Sequence, residues 1–167
     1  MNKRVNKLEQ HCPENDAAEA LQEINERNYK NKNPIIFGIQ EMNSDEPEER
    51  NAHDLSSVQS IFESTCSEVQ TNRIKVYRLG KREEGKVRPV KVIMRSEEEV
   101  KQIILKGKDI RKNTRYAKLL FTSDKTYKQL NEYKLVREEI KRQLEAGEKN
   151  LKIKYVRGEP KIMELNN

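Results

Sequence analysis

Short β-type segments and amphipathic helical segments alternate between residues 34 and 122 in an order that few folds accommodate. In chain order the predicted segments are a strand at 34–39, a helix at 48–67, strands at 73–79 and 88–95, a helix at 96–107 and a strand at 116–122. The order β-α-β-β-α-β is that of two split βαβ units. It predicts an α+β protein with a ferredoxin-like sandwich at 34–122, in which both helices cover one face of a four-stranded sheet and leave the other face open.

Side-chain alternation predicts which positions of this sandwich are buried. The predicted core residues, which share one face of their strand or helix, are Phe37, Leu55, Phe62, Val90, Val92 and Met94. Lys91 and Arg95 alternate with the core residues of the third strand, so we expect them to face outward. In the first strand, Ile36 is expected to face outward because it alternates with Phe37.

Local capping signals indicate where the predicted helices begin and end. Pro47 suits the start of the first helix, since proline is favoured in the first helical turn. Ser96 and Glu99 predict a capping box at the start of the second helix, and Gly107 is predicted to end it. Asp124 is predicted to cap a longer third helix at 125–146.

Two further segments flank the sandwich. Residues 1–33 are polar and interrupted by Pro13, which predicts a disordered start and then a short coiled-coil-like helix at 15–29. After the long helix, β-type runs at 151–156 and 161–165 surround an Arg-Gly-Glu-Pro turn, and they predict a hairpin that packs on that helix. The predicted domains are therefore 1–33, 34–122 and 123–167.

The distribution of charge restricts the possible binding partners more than any motif does. Residues 1–68 contain 7 Lys and Arg against 14 Asp and Glu, whereas residues 69–167 contain 27 against 14. Residues 69–95 alone hold nine basic and two acidic side chains. Such an excess favours a polyanionic partner, with nucleic acid as the first candidate and a membrane surface as the second.

Catalytic and metal-binding chemistry has little support in the sequence. The chain has two histidines, His11 and His53, and two cysteines, Cys12 and Cys66, with no metal-ligand or Cys-x-x-Cys spacing among them. We therefore expect no enzymatic activity, no metal and no other cofactor. The absence of a secretory signal, of a membrane-spanning apolar run and of a disulfide framework favours an intracellular location.

Three segments carry a resemblance to a known family: NPIIFGIQE (33–41), VYRLGKREEGKVRPVKVIM (76–94) and LLFTSDKTYKQLNEYKLVREEI (119–140). They resemble the protein encoded by the first open reading frame of LINE-type non-LTR retrotransposons. The resemblance runs in order over about residues 28–165. In that family a coiled coil precedes a non-standard RRM, and a small C-terminal domain with a helix and a hairpin follows.

The resemblance implies a protein that coats element RNA and acts as a nucleic-acid chaperone. It also implies a cytoplasmic ribonucleoprotein particle, with nuclear entry left open, and no membrane partner. The coiled coil that makes the family trimeric is reduced here to about residues 15–29. A homo-oligomer formed through this helix is an expectation that follows from the resemblance.

The predicted nucleic-acid-binding residues are basic or aromatic and come from strands two to four, their connections, the long helix and the hairpin. They are Arg73, Lys75, Tyr77, Arg78, Lys81, Arg82, Arg88, Lys91, Arg95, Arg115, Arg137, Lys152, Lys154 and Arg157. Ordinary RRMs stack bases on aromatic residues of strands one and three, but the matching outward positions here are predicted to be Ile36, Pro89 and Lys91. We therefore expect single-stranded RNA or DNA to be bound mainly through phosphates, with strong salt dependence. An exposed Tyr77 is left open as a stacking residue.

A second hypothesis comes from a different class of protein. The helices at 15–29 and 125–146 could be the oligomerisation surfaces of an interaction protein, with the basic charge serving only solubility. A salt-titrated binding assay with single-stranded RNA separates the two hypotheses, because only the first predicts binding.

Overall fold

The structure is a computed structural model and describes residues 13–65 and 68–165. Within these ranges the chain is a mixed α+β protein with four helices, a four-stranded antiparallel sheet and a separate two-stranded hairpin. The elements are α1 (Pro13–Lys30), β1 (Pro34–Phe37), α2 (Pro47–Thr65), β2 (Lys75–Arg78), β3 (Val90–Ile93), α3 (Glu97–Ile110), β4 (Leu120–Ser123), α4 (Tyr127–Glu145), β5 (Leu151–Val156) and β6 (Glu159–Glu164). The predicted disordered start, up to residue 12, and both cysteines lie outside the described residues.

The sheet has the strand order β2-β3-β1-β4, and each neighbouring pair is antiparallel. Helices α2 and α3 pack on one face of the sheet and enclose the core with it. Within the described residues, sixteen buried hydrophobic side chains form this core, and all of them lie between Ile36 and Phe121. Burying one such side chain contributes about 1.5–3 kcal/mol, so the core is the main stabilising feature of the sheet and its two helices.

The predicted burial pattern is largely confirmed. The predicted core residues that are buried, or that pack against the core in a partly buried position, are Leu55, Phe62, Val90, Val92 and Met94. Lys91 lies on the opposite face of β3 from the buried valines, and Arg95 is exposed, as predicted. The alternation in the third strand therefore predicted its register correctly.

The first strand has the opposite register from the predicted one. Ile36 is fully buried, whereas Phe37 faces outward and is 40% exposed. Ile36 lies opposite Val90 and Phe121, which are both buried, so it shares their face of the sheet. Gly38 follows the strand with a φ of 92°, and an added Cβ there would lie 2.5 Å from the carbonyl oxygen of Lys118. Only glycine tolerates both conditions, and the kink it allows buries Ile39 on the same side as Ile36 despite their odd spacing.

Helix α3 begins as predicted but ends later. The capping box is confirmed, since the Ser96 hydroxyl accepts from the Glu99 amide and the Glu99 carboxylate accepts from the Ser96 amide. Gly107 does not end the helix, which continues to Ile110. A Cβ at Gly107 would lie 2.7 Å from the Phe121 ring, so this glycine allows α3 to lie close to β4.

Helix α4 is capped by Thr126, and not by Asp124 as predicted. The Thr126 hydroxyl accepts from the Gln129 amide and donates to the Glu23 carboxylate of α1 at 2.7 Å. Because Thr126 is fully buried, this contact holds α1 against the start of α4. Leu21 and Ile24 of α1 remain 59% and 53% exposed.

Strands β5 and β6 form the predicted hairpin with a shorter turn. The turn consists of Arg157 and Gly158 alone, with φ angles of 53° and 82°, and the last two residues of the predicted turn belong to β6. Two central residues with positive φ are typical of the two-residue turns that match the twist of a hairpin. The Tyr155 ring stacks on Tyr133 of α4 with centroids 6.3 Å apart and planes 8° apart, which confirms that the hairpin packs on the long helix.

Candidate nucleic-acid interface

The sheet face opposite α2 and α3 carries three of the predicted binding residues. Lys75, Tyr77 and Lys91 alternate along β2 and β3 with buried valines, so their side chains point away from the core. Tyr77 lies directly opposite Lys91, and Lys75 lies opposite Ile93. The Tyr77 side chain is 53% exposed, which leaves its ring accessible.

Two further side chains belong to this surface and were missed in the sequence. Phe37 lies directly opposite Leu120, and the two are 40% and 45% exposed. The expectation that the outward positions of the first strand carry no aromatic residue is therefore wrong, because the apolar residues of this strand do not by themselves determine which of them face the core. We call this surface the open face, and it consists of Phe37, Lys75, Tyr77, Lys91 and Leu120.

Arg78, a predicted binding residue, is instead part of the fold. Its Nε and Nη2 donate to the two carboxylate oxygens of Asp54 at 2.9 and 2.6 Å. Its remaining donors bond to the backbone carbonyl oxygens of Ile39, Gln40 and Arg88. All five N–H donors of the guanidinium are occupied, and the side chain is 7% exposed. No donor is left for a phosphate.

Arg88 is also paired within the protein. Its Nη2 lies 2.7 Å from Glu41 Oε2, and its backbone N–H donates to Glu41 Oε1 at 2.8 Å. The hydrogen bonds from the Arg88 side chain, with a smaller contribution from its backbone, lower the pKa of Glu41 to about 2 against the effect of burial. The pair connects the β2–β3 loop to the acidic segment 41–49. Because its guanidinium is bound to Glu41, Arg88 stabilises the fold and is not a free phosphate-binding residue.

Lys91 points to the open face, but its charge is balanced. Its Nζ lies 2.7 Å from Asp124 Oδ2 and 5.7 Å from the ring centroid of Tyr29 in α1. Lys30 approaches the other Asp124 oxygen at 3.7 Å. The end of α1 therefore lies over one corner of the open face, and Lys75 is the basic residue of this face without an ion pair among the described residues.

The hairpin presents a second basic surface on the side turned away from α4. Lys152 and Lys154 alternate with the apolar residues of β5 that face the helix, and Lys154 lies directly opposite Lys161 of β6. Lys161 was missed in the sequence, because the register that places it beside Lys154 depends on the turn. We call this surface the basic hairpin face, and it consists of Lys152, Lys154, Lys161 and the turn residue Arg157.

Besides Arg78 and Arg88, six predicted residues lie outside these two surfaces: Arg73, Lys81, Arg82, Arg95, Arg115 and Arg137. All six are exposed. Arg82 makes hydrogen bonds of 3.3 Å to the segment 41–49, and Arg95 donates to Gln70 at 2.8 Å. Arg115 lies beside Tyr116 near α2, on the helix side of the sheet. The structure therefore gathers part of the predicted set into two surfaces and leaves the rest scattered.

Comparison of the chain with protein-family models and with curated protein sequences finds no match. In residues 13–65 and 68–165, no helix is long and apolar enough to cross a membrane. The same residues contain no group of three or more His, Cys, Asp and Glu side chains placed to hold a metal ion. The open face and the basic hairpin face are the surfaces from which a function can be inferred.

Proposed function

We propose that this protein binds single-stranded RNA or DNA with little sequence preference and acts as a nucleic-acid chaperone in a retrotransposon ribonucleoprotein particle. The observation that carries the proposal is the basic hairpin face, where Lys154 faces Lys161 directly and Lys152 lies on the same side. Like charges placed opposite each other across a hairpin cost stability. The Glu159 carboxylate lies 3.6 Å from Lys161 Nζ and balances part of this charge. A bound polyanion would relieve the repulsion that remains, so a phosphate backbone is the ligand that this arrangement favours.

The open face adds a second mode of contact. Phe37 and Tyr77 expose aromatic rings, on which bases of any kind can stack. Lys75 lies two residues before Tyr77 in β2, which is an edge strand of the sheet. From this position Lys75 can neutralise a phosphate of the bound strand. Stacking and phosphate contact are both tolerant of sequence, which agrees with coating an RNA of any sequence.

The proposal includes a ferredoxin-like, RRM-type arrangement of residues 34–122 and a separate C-terminal domain at 123–167. The element order and the strand order β2-β3-β1-β4 support it. The resemblance of three segments to the LINE-type protein supports the assignment to that family and a cytoplasmic location. We propose no enzymatic activity and no cofactor.

The proposed function is tested by fluorescence anisotropy of labelled single-stranded oligoribonucleotides at several salt concentrations. If the four residues of the basic hairpin face and Lys75 each contact a phosphate, the slope of log affinity against log salt should be about −3.5. Oligonucleotides of different sequence should bind with similar affinity. Absence of binding at low salt, or a slope near zero, would contradict the proposal.

The exposed face of α1 favours a second candidate, which is self-association through this helix. Leu21 and Ile24 are both more than half exposed, while Glu23 on another face of the helix bonds to Thr126. Analytical ultracentrifugation of the wild type and of a Leu21→Glu, Ile24→Glu double variant tests it. An oligomer that the double variant abolishes, together with no RNA binding, would favour the interaction-protein hypothesis over the proposed function.

A further inference from the structure

A groove on the helix side of the sheet lies apart from both basic surfaces. It runs between α2 and the 3-10 turn Thr114–Tyr116 and has a volume of about 470 Å³. Its floor is formed by Ile39, Ile61 and Leu119, each no more than 6% exposed. The volume lies in the range of sites for small molecules.

The walls of the groove carry hydrogen-bond donors. Three serines line it from one side of α2: Ser56, Ser57 and Ser60. The opposite wall is formed by Arg115 and Tyr116, with the guanidinium carbon 5.5 Å from the ring centroid. Among the described residues, neither the Arg115 guanidinium nor the Ser57 hydroxyl has a hydrogen-bond partner, so both are available to a ligand.

The electrostatics of the groove favour an anion. Of the described residues that line it, none has a carboxylate. Asp54 neighbours the lining residue His53, but both of its oxygens are bound by Arg78, so its charge is already balanced. Hydrogen bonds with Ser64 and Ser60 lower the pKa of Tyr116 against the effect of burial, and the nearby charge of Arg115 adds to this shift.

We propose that this groove binds a phosphate monoester joined to a ring, such as a nucleoside monophosphate. The phosphate would accept from Arg115 and from the Ser56 and Ser57 hydroxyls, because a guanidinium matches the geometry of two phosphate oxygens. The ring would lie on the apolar floor formed by Ile39, Ile61 and Leu119. The site does not depend on the proposed strand binding, since it lies on the other side of the sheet from the open face.

The test is a titration of the full-length protein with adenosine 5′-monophosphate, followed by amide NMR shifts. We expect saturable shifts at Ser57, Arg115 and Tyr116, and much weaker binding of adenosine, which lacks the phosphate. Arg115→Gln should weaken binding by about tenfold or more, because a charge-assisted hydrogen bond is lost. Arg111→Gln is the matched control, since Arg111 is an exposed arginine at the end of α3 and outside the groove.

The outcomes separate this site from the proposed strand binding. Absence of saturable shifts, or equal affinities of the Arg115→Gln and Arg111→Gln variants, would overturn the site. If a Lys154→Gln variant binds RNA more weakly but still binds the nucleotide, this would support a groove site that is independent of the RNA-binding surface. If a 5′-phosphorylated oligoribonucleotide displaces the nucleotide and its 5′-hydroxyl form does not, the groove site is supported and its ligand is a strand end. If neither oligoribonucleotide displaces the nucleotide, the groove site is supported and its ligand is a free nucleotide.

Discussion

Lys154 and Lys161 lie directly opposite each other across the β5–β6 hairpin, and the next pair of residues, Ile153 and Ile162, faces α4. Facing lysines cost a hairpin a few tenths of a kcal/mol to about 1 kcal/mol. If the same lysines bind phosphate, a substitution at this position should change stability and binding in opposite directions. A merely solvated surface would show only the change in stability.

Replacing Lys154 by Gln should stabilise the protein slightly and weaken its binding to single-stranded RNA. The stability gain, up to about 1 kcal/mol, comes from lost repulsion. The salt slope should fall by about 0.7, because one phosphate contact on a single strand is removed. Urea unfolding and anisotropy measure the two effects, and Lys134→Gln on α4 is the control. Unchanged affinity in the Lys154 variant would exclude the hairpin face as a binding surface.

Replacing Tyr77 by Ala should weaken RNA binding without changing the salt slope. A stacked base contributes roughly 1–3 kcal/mol per aromatic residue and involves no released ions. Phe37→Ala should behave in the same way, and Tyr77→Phe should retain most of the affinity. Tyr127→Ala is the control, since Tyr127 is 82% exposed at the start of α4 and outside the open face. Equal losses in the Tyr127 and Tyr77 variants would argue against stacking on the sheet.

Replacing Arg78 by Ala should destabilise the fold and leave the RNA affinity of the folded protein unchanged. Removing the guanidinium leaves Asp54, which is 6% exposed, as a buried charge without its partner. Breaking a buried pair in this way costs about 3–5 kcal/mol. Arg73→Ala removes an exposed arginine and is the control. A folded Arg78 variant with normal stability but weak RNA binding would restore Arg78 as a binding residue.

The Glu41–Arg88 pair should make stability depend on pH in the acidic range. The pKa of Glu41 is lowered from 4.5 to about 2 in the folded protein, so folding is favoured while the carboxylate is ionised. This contribution, about 3 kcal/mol, is present above pH 4.5 and is lost as the pH falls towards 2. Urea unfolding between these pH values should show a shallower loss for Glu41→Gln than for the wild type. Parallel curves would contradict the assignment.

Replacing Gly107 by Ala should lower the melting temperature although alanine favours helices. The added Cβ would lie 2.7 Å from the Phe121 ring, and overpacking of this kind costs about 1–3 kcal/mol. The gain in helix propensity offsets about 1 kcal/mol. We expect a net decrease of a few degrees, measured by circular dichroism. Lys108→Ala, at an exposed position of α3, should not lower the melting temperature.

The element order and much of the core could be predicted because the signals are local. Alternation in the third strand predicted that Val92 is buried, and Ser96 predicted the start of α3. The prediction for the first strand was wrong because its residues are almost all apolar, so their pattern does not show which of them face the core. There the pairing of Ile36 with Val90 and Phe121, both far away in sequence, places Ile36 in the core.

The candidate site was harder to predict because the partners of its charges are distant in sequence. Arg78 and Arg88 are basic residues in a basic segment, and nothing local indicates that Asp54 and Glu41 bind them. Their side chains meet only when the sheet forms. Among the residues that the structure describes, Lys154 has no such partner, and its assignment to an exposed basic surface needed only the alternation of its own strand.

The position of β1 in the sheet has a consequence for dividing the chain into fragments. The sign of the charge changes near residue 68, and a cut there would appear to separate an acidic module from a basic one. Yet β1 comes from the acidic part and hydrogen-bonds to both β3 and β4 of the basic part. A fragment beginning after the cut would lack this central strand and expose two unpaired strand edges, so the opposite charges belong to one folding unit.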